Sequence, residues 1–299
     1  MVSDLYPFQG RYLDLPGGRL HYLDEGKGDP LVMLHGNPTW SFYFRNLILA
    51  LRDGYRVIAP DHMGCGRSDK PDDARYEYTL RRRVDDVEAL LEHLGVRSRV
   101  TLILHDWGGM IGMAWAQRHP ERVARLVITN TAAFHLPRGK AFPWALRLAR
   151  AGGLGEWLVR RFNLFATTAA RVCVKRKPLS DEVRRMLLSP YDSYANRIAT
   201  IRFVQDIPLA PGDKAYEIVS AVERNLTRFA DRPMLVCWGE RDFVFSVAFL
   251  EEWIRRFPHA EVHRFGDCGH YVLEDAGEEI TGLVRRFLEA HPLPAEGRP

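Results

Sequence analysis

Across 299 residues, 46% apolar and 27% charged, the chain has room for one large α/β domain with an insertion or for two domains. Its formal net charge of +4 is small for this length, and no Lys/Arg block is interleaved with aromatics, which excludes a nucleic-acid-binding class. Cys65, Cys173, Cys237 and Cys268 form no C-x-x-C pair, as suits reduced buried thiols. No apolar leader and no run of roughly 18 apolar residues marks export or a membrane span, so a cytoplasmic protein is expected.

The first segment alternates apolar and polar residues over Arg11 to Leu15 and Arg19 to Asp24 about a Gly17-Gly18 turn, the pattern of an antiparallel hairpin. Leu31 to Leu34 reads as a buried strand ending in His35-Gly36-Asn37-Pro38, and a helix follows to Arg52 with a Gly54 stop. Tyr55 to Ala59 is another strand, closed by the glycine-rich loop PDHMGCGRSDKP. Thr79 to Leu94 has helical apolar spacing and ends at Gly95. Val100 to Leu104 is a β-rich apolar run, and Met110 to Ala116 a helical one that stops at His119-Pro120. Val123 to Thr129 is one more strand.

After Asn130 the rhythm breaks. Residues 132–213 carry only helical pieces separated by prolines at 137, 143, 178, 190, 208 and 211. Strands resume at Pro233 to Trp238 and Ala260 to Phe265, a last helix runs from Glu278 to His291, and the tail beyond it reads as frayed. Alternating strands and helices imply a mostly parallel sheet covered on both faces. Eight strands interrupted after the sixth by a helical cap are the α/β-hydrolase plan. The expected division is core over 1–131 and 214–299, and cap over 132–213. In open α/β sheets, sites form at the carboxyl ends of the strands.

The stretch that organises the chain is VTLILHDWGGMIGMAWAQRHP, where a strand, a sharp turn and a helix follow one another. Its Asp106-Trp107-Gly108-Gly109 turn matches the geometry of the G-x-S-x-G nucleophile elbow, with aspartate at the serine position. A serine needs a base beside it and suits attack on a carbonyl. A carboxylate is already ionised at neutral pH and can displace a leaving group from saturated carbon, leaving an alkyl ester on the enzyme. Alternatively, Asp106 only caps the following helix.

Partners at other strand ends favour the nucleophile. His270, between the last strand and the last helix, is placed to activate a water. Asp242, in WGERDFVF, suits orientation of that imidazole, with Glu240 as competitor; the matching position after the preceding strand is Asn130, which cannot act as an acid. Asn37 and Trp107 carry N–H donors able to hold a departing anion, and their backbone N–H groups suit an oxyanion hole. Plain packing for Trp107 and a turn-forming role for Asn37 are the bland alternatives.

HGNPTWSF, PDHMGCGRSDKP, HDWGGMIG, WGERD and GHYVLED resemble the haloalkane dehalogenase family of α/β-hydrolases along almost the whole chain. The resemblance implies that Asp106, His270 and Asp242 are its catalytic triad, and Asn37 with Trp107 its halide-binding pair, in the arrangement of the third subfamily. RVDDVEALLEHLG, LVITNTAAFHLP, GEWLVRRFN and SPYDSYANRIATIRFVQDIPL are similar to the β-lactone decarboxylases of bacterial long-chain olefin biosynthesis, which turn a dialkyl β-lactone into an internal alkene and carbon dioxide. On that reading Asp106 attacks the lactone and Asn37 and Trp107 hold the expelled carboxylate, whereas dehalogenation needs His270 to deliver water. Fluoroacetate dehalogenases differ, with Arg where this chain has Trp107. Epoxide hydrolases share the Asp–Trp pair but use cap tyrosines, for which Tyr191, Tyr194 and Tyr216 are candidates. Asp106 excludes a serine esterase.

No metal is expected, since no His/Asp/Glu set has ligand spacing, and no nucleotide or other cofactor, since GCGRS lacks a phosphate-loop Lys-Ser/Thr. The cap strings Phe142, Trp144, Leu146, Leu148, Trp157, Leu158, Phe162 and Phe165 among Arg147, Arg150, Arg160 and Arg161. The apolar stripe is expected to roof the site with the arginines on the wet face. Such basic helices also suit a membrane surface or a protein partner. The resemblance favours protein partners, in an olefin-biosynthesis assembly, with the chain a homo-oligomer or complex member acting on an apolar small-molecule substrate. A silent scaffold is the rival of another class, and five intact site residues count against it.

Overall fold

The computed structural model describes residues 4–294; the end of the tail expected to fray, 295–299, lies outside the described residues. Eight strands form one sheet: β1 (Arg11–Leu15), β2 (Gly18–Glu25), β3 (Pro30–Leu34), β4 (Arg56–Pro60), β5 (Val100–Asp106), β6 (Val123–Thr131), β7 (Met234–Gly239) and β8 (Glu261–Phe265). Their spatial order is β1-β2-β4-β3-β5-β6-β7-β8. β2 pairs antiparallel with β1 and with β4, and every other neighbouring pair is parallel. This is the mostly parallel sheet of the α/β-hydrolase fold.

The period of two along each strand sorts the core into two layers. Val32, Leu34, Leu102, Leu104, Leu126 and Ile128 face one cluster, and Leu31, Met33, Ile103, Val127 and Leu235 the other. Each such side chain contributes about 1.5–3 kcal/mol when fully buried. Helices close both faces. On the second cluster lie α1 (Arg45–Leu51) and, at the chain's far end, a helix at Gly277–Ala290; on the first lie α2 (Leu80–His93) and α3 (Trp107–Arg118). Thr79 caps α2 by accepting a hydrogen bond from Arg82 N–H, and a left-handed Gly95 follows its end.

Two expectations are corrected in detail. The helix expected from Pro38 to Arg52 is split into a tight 3₁₀ turn, Ser41–Phe44, and α1. The elbow helix begins at Trp107, not Met110, because Gly108 and Gly109 lie in its first turn instead of preceding it. Between β6 and β7 the described residues hold helices and loops only: α4 (Trp144–Arg150), α5 (Leu154–Phe162), α6 (Leu164–Val172), α7 (Asp181–Leu188), α8 (Ile198–Gln205) and α9 (Tyr216–Asn225). After β7 come α10 (Val247–Arg256), α11 (Val272–Asp275) and α12, the Gly277–Ala290 helix. No helix among the described residues is long and apolar enough to cross a membrane.

Candidate active site

β5 ends at Asp106, whose backbone sits at φ 52°, ψ −126°. An L-residue rarely adopts this region, and it turns the carboxylate up from the sheet edge. Neighbours must be small for the turn to close. A Cβ at Gly108 would lie 1.9 Å from the Leu34 carbonyl oxygen, and one at Gly36 only 1.9 Å from Asp106 Oδ1. Glycine at these positions is a packing requirement of the elbow.

The loops after β5, β7 and β8 bring three predicted residues together. His270 Nδ1 lies 2.7 Å from Asp242 Oδ2, and its Nε2 lies 3.5 Å from Asp106 Oδ2. All three are buried. Glu240, the competitor, instead turns outward to Arg264 at 3.2 Å. Asp242 is held from the far side: Val244 N–H and Phe245 N–H donate to its Oδ1 at 2.7 and 3.0 Å, and Asn130 Nδ2 donates to its Oδ2 at 3.0 Å. Phe245 stacks on the His270 ring, and His105 Nε2–H donates to the His270 carbonyl at 2.9 Å.

The electrostatics follow from this arrangement. Burial works against a charged His270, but Asp242 and then Asp106 outweigh it and hold its pKa up at about 10. Burial likewise disfavours the Asp106 carboxylate, yet His270 and the Asn37 N–H keep it below the usual carboxylate range. His105 is the opposite case: burial and the His270 charge push it down to about 3, so it stays neutral. The arrangement therefore favours the charged form of His270, whose two ring nitrogens face Asp242 and Asp106.

Asn37 contributes twice. Its backbone N–H donates to Asp106 Oδ1 at 2.6 Å, and its side-chain Nδ2 donates to the Thr200 carbonyl at 2.9 Å, which ties the loop after β3 to α8. Trp107, the first residue of α3, packs on Phe203 of α8. Behind it the fully buried Arg83 guanidinium lies 3.7 Å above the Phe203 ring centre and 3.4 Å from Asp206, whose carboxyl burial pushes up to about 6. Asp106, Asn37, Trp107 and His270 all open on one cavity of about 420 Å³. Its other walls are mostly apolar, including Phe134, Leu146, Leu158, Phe165, Val204 and Phe249. None of Tyr191, Tyr194 or Tyr216 lines it, which removes the cap-tyrosine acids that an epoxide hydrolase needs.

Sequence reasoning missed the part played by Asn130. Read only as a residue that cannot be an acid, it instead bridges β6 to β7: its Nδ2 reaches Asp242 and its Oδ1 accepts Gly239 N–H at 2.9 Å. Its position at a strand end opposite the acid was the available signal. Asn130→Ala removes a hydrogen bond to a charged group, an interaction of about 1.5–3 kcal/mol. We expect turnover to fall about 10- to 100-fold through misplacement of Asp242, measured by steady-state kinetics alongside thermal melting.

A family model described as alpha/beta hydrolase fold matches residues 29–277. A cis-3-alkyl-4-alkyloxetan-2-one decarboxylase of Shewanella oneidensis is 53% identical over 300 residues, covering 100% of this chain and 94% of that protein. Haloalkane dehalogenase 2 of Mycobacterium tuberculosis is 31% identical over 288 residues, covering 95% of this chain and 96% of that one. The solved structure of the haloalkane dehalogenase DatA from Agrobacterium tumefaciens C58 matches with a TM-score of 0.84 at 28% identity, over 95% of this chain and 97% of that one.

Proposed function

Because the chain belongs to the α/β-hydrolase family, in the group that holds the oxetanone decarboxylases and the haloalkane dehalogenases, we propose that it is a β-lactone decarboxylase with Asp106 as nucleophile. Its substrate is a long-chain cis-dialkyl β-lactone, and its products are an internal alkene and carbon dioxide. The observation that carries this reading is the Asp106 carboxylate at the floor of an apolar cavity, in a chain 53% identical along its length to a decarboxylase of that substrate class.

The steps balance without added reactants. Asp106 Oδ2 forms a bond to the lactone's tetrahedral β-carbon as the bond from that carbon to the ring oxygen breaks. The ring oxygen leaves as a carboxylate, a group this reading assigns to the Asn37 and Trp107 donors. Next, the bond between that carboxylate carbon and the α-carbon breaks, and its electron pair becomes the carbon–carbon double bond. The ester bond to Asp106 breaks in the same event and the side chain departs as carboxylate beside the His270 cation. Asp242 keeps that cation charged and oriented. The residues between β6 and β7, the cap of this reading, supply walls for the alkyl chains.

Haloalkane dehalogenation is the second reading, favoured by the 31% identity to haloalkane dehalogenase 2 and by the likeness to DatA. There the same ester is hydrolysed by water that His270 activates, with halide held by Asn37 and Trp107. Turnover in water enriched in oxygen-18 separates the two. The lactone path gives alkene and carbon dioxide with no alcohol; oxygen-18 in an alcohol product, with no alkene from a cis-β-lactone, sinks it.

A further inference from the structure

The helices between β6 and β7 do more than roof the cavity. Of nine exposed large hydrophobic side chains among the described residues, six lie between positions 144 and 164: Trp144, Leu148, Leu154, Trp157, Phe162 and Leu164. Trp144 is 79% exposed and Leu154 71%. Trp157 and Phe162, expected from the sequence to roof the site, do not line the cavity at all; they point to the outside. Single exposed apolar side chains are ordinary, but a cluster on adjoining helices is an interaction surface.

Each helix repeats one arrangement at helical spacing. α4 shows Trp144, Arg147 and Leu148; α5 shows Leu154, Trp157 and Arg161; α6 shows Leu164 and Arg171. These three arginines are exposed and make no ion pair among the described residues. The one acid of the three helices, Glu156, is already occupied by Arg160 and Arg202. Residues 144–172 hold five arginines against one glutamate, a net of +4, which equals the formal net charge of the whole chain. The surface is therefore apolar and cationic at once.

It is also the mouth of the cavity. Trp144, Leu148 and Leu164 are exposed and line the cavity as well, so the patch continues into the cavity wall. Whatever covers this surface must let an apolar molecule through. A rigid protein seated there would shut the mouth, whereas a fluid lipid layer leaves it open. We propose that α4, α5 and α6 dock this protein on an anionic bilayer surface, apolar tips among the acyl chains and arginines at the headgroups, and that apolar substrate enters from the bilayer. The docking stands on the surface itself; the passage of substrate rests on the proposed function. A dialkyl lactone is held by lipid in proportion to its buried methylenes, which makes the bilayer its reservoir.

Flotation with vesicles of phosphatidylcholine alone, and of phosphatidylcholine mixed with phosphatidylglycerol, tests this. At low salt we expect partition onto the anionic vesicles about a hundredfold or more stronger than onto neutral ones, the size expected of three arginines near a charged surface, and loss of that difference at high salt. The Leu154→Asp/Trp157→Asp variant, outside the cavity, should lose binding while turning over a short, water-soluble cis-β-lactone as the unaltered protein does. Its turnover of a long-chain lactone carried in anionic vesicles should fall with its binding. No flotation of the unaltered protein with anionic vesicles overturns the proposal, as does a variant that floats equally well. A variant that changes only the oligomeric state, or only binding to a purified protein partner, assigns the face to that occupant and overturns it too. Flotation with no turnover of any β-lactone would defeat the proposed function and leave the docking standing.

Discussion

Replacing Asp106 by Asn should abolish turnover of every substrate, by about 10⁴-fold or more, as removal of the nucleophile of a coupled site typically does. The amide keeps the shape of the carboxylate, and its oxygen can still accept the Asn37 N–H that now reaches Asp106 at 2.6 Å. The elbow strain and the glycine contacts are untouched, so melting should change little. What is lost is the electron pair that attacks carbon. The charge balance changes as well. His270 loses one of the two carboxylates that hold its pKa at about 10, so an NMR titration of its ring should place it lower in the variant. Activity lost with fold retained identifies the carboxylate as reagent. Activity retained means that the Asp106 carboxylate is not the reagent, and mass spectrometry of the unaltered protein with substrate would then find no adduct on that side chain.

Much of this was legible because the sheet is buried on both faces. The apolar runs at positions 31–34, 100–104 and 123–129 have no other comfortable place, and strand ends in such a sheet are where polar residues can gather. Asp106, Asp242 and His270 are candidates because of their places at strand ends and in the elbow, and in the structure the three lie together. The remainder depends on contacts between distant parts of the chain. Nothing local to Asn130 says that its amide will span two strand ends to grip Asp242. Arg83 follows two other arginines near the start of α2, yet it is fully buried because α8 and the residue after it supply Phe203 and Asp206 more than a hundred positions later. The helices between β6 and β7 misled for a different reason. They are apolar on two faces, one toward the cavity and one toward solvent, so periodicity could not tell Leu158 and Phe165 from Trp157 and Phe162.

His270→Gln should divide the two chemistries that share this site. With a haloalkane, alkylation of Asp106 needs no base, so the variant should release halide in a single burst and stop as the covalent ester. Steady-state turnover should fall by about 10²–10⁴-fold, the range that general-base catalysis contributes. With a cis-β-lactone no water is used, and the variant should keep forming alkene, slowed about 10- to 100-fold because a neutral amide replaces the cation beside the departing carboxylate, a charge-assisted contact of about 1.5–3 kcal/mol. The pH profiles of the unaltered protein should differ in the same sense. Asp106 is held below the usual carboxylate range, so its attack on either substrate is not lost until the medium is strongly acid. His270 is charged below its pKa of about 10 and neutral above it, so decarboxylation should be level through neutrality and decline as pH passes about 10. Hydrolysis behaves otherwise, because esterification of Asp106 erases one of the charges that raise that pKa. His270 then yields its proton more readily, and hydrolysis gains rather than loses on the alkaline side. A variant that stops after one equivalent with both substrates would place water in both reactions and overturn the fragmentation path.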